Sequence, residues 1–242
     1  MRFTKWFIGT IGILTMCIAN PGRAAEALTS FENTYNAKLY GFSIEVTSRF
    51  KSTGAETGNY EFYFNADSFV GSVTETTDVT WNEKDHVFIP HHYTYKRTGL
   101  GKSRDDELVF DWTNLKVTNT KNNKSLPLEA NIKLQDSLSY QLQLRQDLLA
   151  GKNNLEYTIT NGRKIKKYHF EIVGEETLST PLGDVKTVKV KRSHATEDTV
   201  TYAWFAKNFN YLLVQLQQEE NGSAYTIYLS KASLNGKAIQ HF

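Results

Sequence analysis

Apolar and polar residues alternate with a period of two along most of the chain, in "AKLYGFSIEVTSRF", "NYEFYFNA", "DELVFDWT", "NLEYTIT", "KYHFEIVG", "VKTVKVKR" and "AYTIYLS". Successive side chains of a β-strand point to opposite faces, so this period predicts half-buried antiparallel strands. Turn residues fall between them. Asn161-Gly162 and Asn221-Gly222 suit the positive φ angles of type I′ hairpin turns, and Pro181 with Gly183 in "TPLG" marks a third hairpin. The pattern predicts about ten strands, mostly linked to their sequence neighbours.

One stretch departs from alternation. "DSLSYQLQLRQDLLAGK" has N-cap candidates in Asp136 and Ser137, apolar residues at helical spacing, and Gly151 just past the end, which predicts a single helix over 137–150. Leu138, Leu142 and Leu149 project together at about 100° per residue, with Leu144 and Leu148 widening the stripe and Arg145 inside it. No repeat, low-complexity run or Pro/Gly-rich linker divides residues 25–242, which read as a single β domain. The expected fold is mainly β: a curved antiparallel sheet, a half-barrel or open barrel, wrapped around this helix.

The first residues are of another kind. Arg2 and Lys5 precede an apolar run from Trp6 to Ile18, and small residues follow at Gly22, Ala24 and Ala25, the pattern of a secretory signal peptide over residues 1–24. Cleavage after Ala24 suits the small residues, and cleavage after Ala27 is an alternative. Cys17 follows Met16 rather than a small residue, which argues against lipidation. The run is shorter than the roughly 20 residues that span a bilayer, and no later segment replaces it. The expected location is therefore the bacterial periplasm or the outside medium, with no transmembrane helix after the signal is removed.

That expectation changes composition as well. Cys17 is the only cysteine, so the mature chain has no disulfide, thiolate metal site or cysteine nucleophile. Removing Arg2, Lys5 and Arg23 from the 28 basic residues leaves 25 against 26 acids. A near-neutral chain lacks the basic excess that nucleic acid would require.

Candidate chemistry is sparse. Gly101-Lys102-Ser103 resembles part of a phosphate loop, but Lys96 stands where its first glycine belongs and a strand follows instead of a helix. Residues 98–103 read as a hairpin loop. Asp105, Glu107 and Asp111 share one strand face opposite Leu108, Phe110 and Trp112, as on an ordinary solvated strand. The six histidines show no metal-binding spacing, and no Gly-x-Ser-x-Gly elbow occurs. No metal or cofactor is expected. Arg145 stands out, because a guanidinium among five leucines costs several kcal/mol unless it is paired. It is expected to bridge to a carboxylate of the sheet, Asp111 being one candidate, or to meet an anionic ligand group in a cavity; snorkelling past the leucines is a third option. Removing Phe3, Trp6 and Phe7 leaves 28 of the 31 aromatic residues, several on both faces of one strand. A curved sheet with an apolar interior accounts for that, with Trp112, Tyr140, Leu144, Trp204 and Phe205 as candidate lining residues.

The segments "YTYKRTGLGKSRDDELVFDW", "LPLEANIKLQDSLSYQLQLRQDLLAG", "GEETLSTPLGDVKTVKVKR" and "TYAWFAKNFNYLLVQLQQEENG" resemble a family of exported bacterial proteins catalogued as domain of unknown function 3108. The resemblance spans most of residues 35–230 and implies an envelope-facing β protein without an established activity. In architecture alone, the chain is similar to half-barrel carriers of lipid-modified proteins.

The leading expectation is a non-enzymatic periplasmic binding or envelope-maintenance protein holding a lipid-like or amphipathic molecule. Two others stand beside it: a hydrolase acting on an envelope polysaccharide or ester through Asp111 and Arg145, with His169 or Glu175 near them, and a scaffold for an envelope protein partner.

Overall fold

The computed structural model describes residues 28–39, 41–54, 58–99, 102–129, 131–193, 199–220 and 223–242. The expected signal over residues 1–24, the expected Asn221-Gly222 turn and His194 lie outside the described residues.

Two antiparallel meanders make up the fold. The first comprises β1 (Phe31–Leu39), β2 (Phe42–Ser52), β3 (Asn59–Ser68), β4 (Gly71–Asn82), β5 (Val87–Gly99), β6 (Arg104–Asp111), β7 (Lys116–Asn119) and β8 (Lys124–Pro127). The second comprises β10 (Leu155–Thr160), β11 (Ile165–Thr180), β12 (Gly183–Ser193), β13 (Thr199–Ala206), β14 (Leu212–Glu220) and β15 (Ser223–Leu234). β15 pairs antiparallel with β1 and so joins the two. β16 (Lys237–Ala238) adds to β15, and β9 (Leu134–Asp136) pairs parallel with β10 at one end. Among the described residues one sheet thus holds sixteen strands, not ten.

The additional strands are those without an alternating pattern. β4 reads "GSVTETTDVTWN", with threonine on both faces, which suits a pleated sheet through β-branching while showing no apolar period. β7, β8, β9 and β16 have four residues or fewer. "AKLYGFSIEVTSRF" reads as one strand but belongs to two, because Gly41 at φ 84° turns the chain between β1 and β2. The "TPLG" hairpin pairs Thr180 with Gly183 across two residues, whereas the Asn161-Gly162 turn is a four-residue loop between the paired Thr160 and Ile165.

The sheet curls until one end returns to its middle. The backbone ladder stops at β9, yet Gln135 on β9 donates its amide to the Phe88 carbonyl on β5 at 2.8 Å, and Lys133 reaches the Asp85 carbonyl at 3.2 Å. Arg163, in the β10–β11 loop, lies 3.8 Å from Asp106 on β6. Side chains therefore close a ring that main-chain hydrogen bonds leave open. Pro90 sits in β5 beside a bulge between Asp78 and Val79, where the ladder can spare its missing N–H.

Helix α1 (Ser139–Leu149) follows β9 directly. Asp136 Oδ1 accepts the Leu138 and Ser139 amides at 2.7 and 2.8 Å, while Ser139 Oγ accepts the Asp136 amide at 2.9 Å, a reciprocal cap. At the other end the Gly151 amide bonds the Leu148 carbonyl and the Lys152 amide bonds that of Asp147, with Gly151 at φ 69°, a Schellman stop. The helix is enclosed on several sides. Leu138 and Leu142 join a core with Phe50, Phe88 and Tyr93, while Leu144 and Leu148 join a second with Leu155, Tyr157 and Phe205. Leu149, expected in the apolar stripe, is exposed, because it falls outside both contact faces.

One backbone approach is testable. A Cβ at Gly99, which has φ +93°, would lie 2.3 Å from Gly71 Cα and from the Val70 carbonyl oxygen, whereas Gly41 at φ +84° has nothing within 4 Å. Gly99→Ala is expected to cost well over the ~1–2 kcal/mol of the backbone conformation alone, and Gly41→Ala only that, as read from urea unfolding midpoints.

Candidate functional site

A cavity of about 310 Å³ lies inside the curve of the sheet against α1. Its walls come from both meanders. β1, β2 and β3 supply Asn33, Tyr35, Val46, Phe62 and Phe64; β12, β13, β14 and β15 supply Arg192, Ala203, Phe205, Leu216 and Ile227; α1 supplies Tyr140, Leu144 and Arg145. Such mixed walls require the two ends of the sequence to be joined at β1 and β15. Alternation then sends every second side chain inward.

Arg145 is buried, with 5% of its surface exposed. Its Nε donates to the Asn210 carbonyl at 2.7 Å, Nη1 reaches the Thr29 carbonyl at 3.5 Å, and the guanidinium lies 4.8 Å from the centre of the Phe31 ring. Nη2 is buried without a hydrogen-bond partner among the described residues. No carboxylate of the described residues lies within ion-pairing distance of Arg145. Burial draws its pKa down to about 10, opposed by Tyr35. The charge is retained at neutral pH and left uncompensated, a costly arrangement in a low-dielectric setting.

Two further polar atoms on the cavity walls share this condition: Arg192 Nε and Asn33 Oδ1 are buried and unpartnered among the described residues. Asn33 Nδ2 donates to the Tyr35 hydroxyl at 3.1 Å, which donates to the Leu213 carbonyl at 3.1 Å. Burial pushes the Tyr35 pKa up to about 12, so it stays a neutral hydroxyl. Arg192 stacks over Tyr168 at 4.4 Å, with Nη2 3.4 Å from Thr201 Oγ1. Unpartnered buried polar atoms are rare in folded proteins, and three of them share this cavity.

The expected site residues divide. Tyr140, Leu144, Arg145 and Phe205 line the cavity. Trp204 does not, because it follows Ala203 and precedes Phe205 on β13 and points to the other face, where its indole N–H bonds Glu176 at 2.5 Å. Trp112 donates its indole N–H to the Pro90 carbonyl at 2.8 Å and stacks on Phe110, away from the cavity. Asp111 does not meet Arg145. It lies at the β6–β7 turn, accepting the Asn114 amide at 2.9 Å and the Asn114 side chain at 2.7 Å, and these bonds hold its pKa below the usual range. The spacing of Asp111 beside two aromatic residues marked a hairpin end rather than a partnered charge.

His169 pairs with Glu156 at 3.4 Å, and Glu175 with Lys207 at 2.6 Å, both in exposed positions. The four groups of the hydrolase reading do not converge. Asp106, between Asp105 and Glu107, is the buried acid of that strand: it shares the inward face of Leu108 and is held by Arg104 and by Asn119 at 2.9 Å. Asn33, Tyr35 and Arg192 were also missed. Their parity was readable, since Asn33 and Tyr35 alternate in step with Phe31, and Arg192 with Val188 and Val190.

A second buried cluster lies at the start of α1. Asp136 is fully buried and accepts Thr77 Oγ1 at 2.6 Å through its other oxygen, while the Tyr93 hydroxyl donates to Glu75 at 2.5 Å. Burial raises the Glu75 pKa to about 7 from 4.5, with the Tyr93 bond opposing and Asp136 reinforcing the shift.

With the geometry described, comparison with known proteins places the chain. It belongs to the family described as Protein of unknown function (DUF3108), whose model matches residues 20–230. No curated protein matches the sequence. Among solved structures, a beta-barrel-like protein of domain of unknown function DUF1849 from Brucella abortus is similar in fold, with a TM-score of 0.56 at 12% identity over 88% of this chain and 100% of that one. A DUF1329 family protein from Desulfovibrio piger aligns over 88% of each chain at 12% identity, but its TM-score of 0.28 is too low to bear on the fold.

Glu75 generates a pH prediction. A carboxyl whose folded pKa exceeds its unfolded value binds more protons when folded, so the contribution of Glu75 to stability is fully present below about pH 4.5 and is lost as pH rises through about 7. Glu75→Gln is expected to flatten that decline, as measured by urea unfolding at a series of pH values.

Proposed function

We propose that this protein is a non-enzymatic binding module of the bacterial cell envelope that holds one amphipathic small molecule between α1 and the curved sheet. The observation that carries this reading is the cavity itself. Its walls are mostly aromatic and aliphatic, with a few polar atoms that lack partners, the composition of a ligand site rather than of a packing defect. Its volume, about 310 Å³, lies at the lower end of the roughly 300–1,000 Å³ common for ligand pockets. A well-packed core would have filled it, since voids larger than a water molecule are few in a domain.

The pattern of the first residues supports the envelope setting. The charged start, the short apolar run and the small residues before Ala25 suit a cleaved signal, and a mature chain without cysteine is indifferent to an oxidising compartment. N-terminal sequencing of protein recovered from the periplasm of an expressing bacterium is expected to begin at Ala25. A chain that stays in the cytosol with its first residues intact would count against export.

Occupancy is open to direct measurement. Solvent extraction of gently purified protein, followed by mass spectrometry, is expected to yield an amphiphile in stoichiometric amount. Ala203→Trp, which adds bulk to a small residue of the cavity wall, is expected to exclude it while leaving the circular dichroism spectrum unchanged. Equal recovery from both proteins would place any bound molecule elsewhere.

A further inference from the structure

We infer that the molecule held in the cavity is a single-chain monoanionic amphiphile of the fatty-acid class, with its carboxylate seated innermost against Arg145. This rests on the binding reading above and goes further by assigning charge, chain number and orientation. The first step is electrostatic. Arg145 has an apolar setting, a ring beneath it, backbone carbonyls as partners and no carboxylate of the described residues in reach, yet it lines the cavity and keeps a buried Nη2 without a hydrogen-bond partner among the described residues. An oxyanion there would gain a charge-assisted hydrogen bond and neutralise the buried charge in one contact. No neutral headgroup would do both.

The second step concerns how much charge. Arg192 stands at the opposite end of the cavity, so a headgroup at the Arg145 end meets one guanidinium, which balances one negative charge, and the neighbouring Tyr35 and Asn33 add none. A dianionic phosphate monoester would bring a surplus charge into the same low-dielectric space, which disfavours it. The third step is volume. About 310 Å³ at the lower end of the pocket range accommodates one acyl chain rather than the two of a diacyl lipid.

Orientation follows from topology. Arg145 is bonded to Thr29, just before β1, and to Asn210, in the β13–β14 turn, which share one end of the sheet. Thr201, Gln218 and Arg192 lie near the strand ends at the opposite side. Phe62, Phe64, Leu216 and Ile227 line the space between. A carboxylate at Arg145 therefore sets its chain along these apolar walls toward Arg192.

Calorimetric titration of the delipidated mature protein with decanoate, decan-1-ol and decyl phosphate tests this. The native protein is expected to bind decanoate on the order of tenfold to a hundredfold more tightly than decan-1-ol, the factor that one charge-assisted hydrogen bond confers. Arg145→Met, which replaces an uncompensated buried charge with an apolar chain of similar length, is expected to keep its alcohol affinity and lose the preference for the acid. A native protein that binds alcohol and acid alike, or an Arg145→Met variant that retains the preference, overturns the carboxylate assignment and leaves the binding reading intact. Tighter binding of decyl phosphate than of decanoate overturns the monoanion. Binding of none of the three overturns both. Should Arg145→Met fail to fold, the comparison of acid with alcohol on the native protein decides the matter alone.

Discussion

The closure of this sheet depends on a polar seam rather than on main-chain pairing. β9 ends the ladder, and without further contacts the curled sheet would leave a gap between β9 and β5. Gln135 Nε2 spans it to the Phe88 carbonyl, while from α1 the side-chain Oε1 of Gln143 accepts the Phe88 amide at 2.9 Å and its Nε2 reaches the His86 carbonyl at 3.0 Å. Thr77 on β4 ties to Asp136 at the start of the helix. These groups are buried, so each bond is stronger than it would be in water and expensive to leave unmade. The seam therefore holds the curvature and seats α1 at once.

From that seat the rest of the site follows. α1 leaves β9 through the reciprocal Asp136–Ser139 cap and is stopped by Gly151, so its length and direction are set at both ends. Leu138 and Leu142 then face one core cluster and Leu144 and Leu148 the other. Arg145, between them, is carried to the end of the cavity where β1 begins. Its position is thus imposed by the helix rather than by a partner of its own, and that explains how a charge comes to lie in an apolar setting uncompensated.

The three buried aspartates differ from Arg145 in this respect. Asp136 receives Thr77 and two backbone amides, Asp106 receives Arg104 and Asn119, and Asp147 receives Gln143, Lys152 and Tyr157. Each is satisfied by the protein and belongs to the structure. Arg145, Arg192 and Asn33 each keep an atom without a partner among the described residues, all on one cavity wall or another.

The amino-acid sequence alone determined the class of this protein: period-two alternation and hairpin turns made it mainly β, a capped apolar stretch made one helix, and the anomaly at Arg145 was visible because a charge interrupted five leucines. It undercounted strands, since Thr-rich β4 and the shortest strands carry no apolar period. What only the tertiary structure decided was which charges meet. Asp111 and Arg145 seemed suited to each other by composition, yet pairing across a sheet depends on register and curvature, which are properties of strands far apart in the chain. For the same reason Trp204, as aromatic as Phe205, ended outside the cavity: a one-residue step along a strand reverses the face, and only the assembled sheet says which face is inside; Trp112 is outside because it follows β6, which supplies no wall of the cavity.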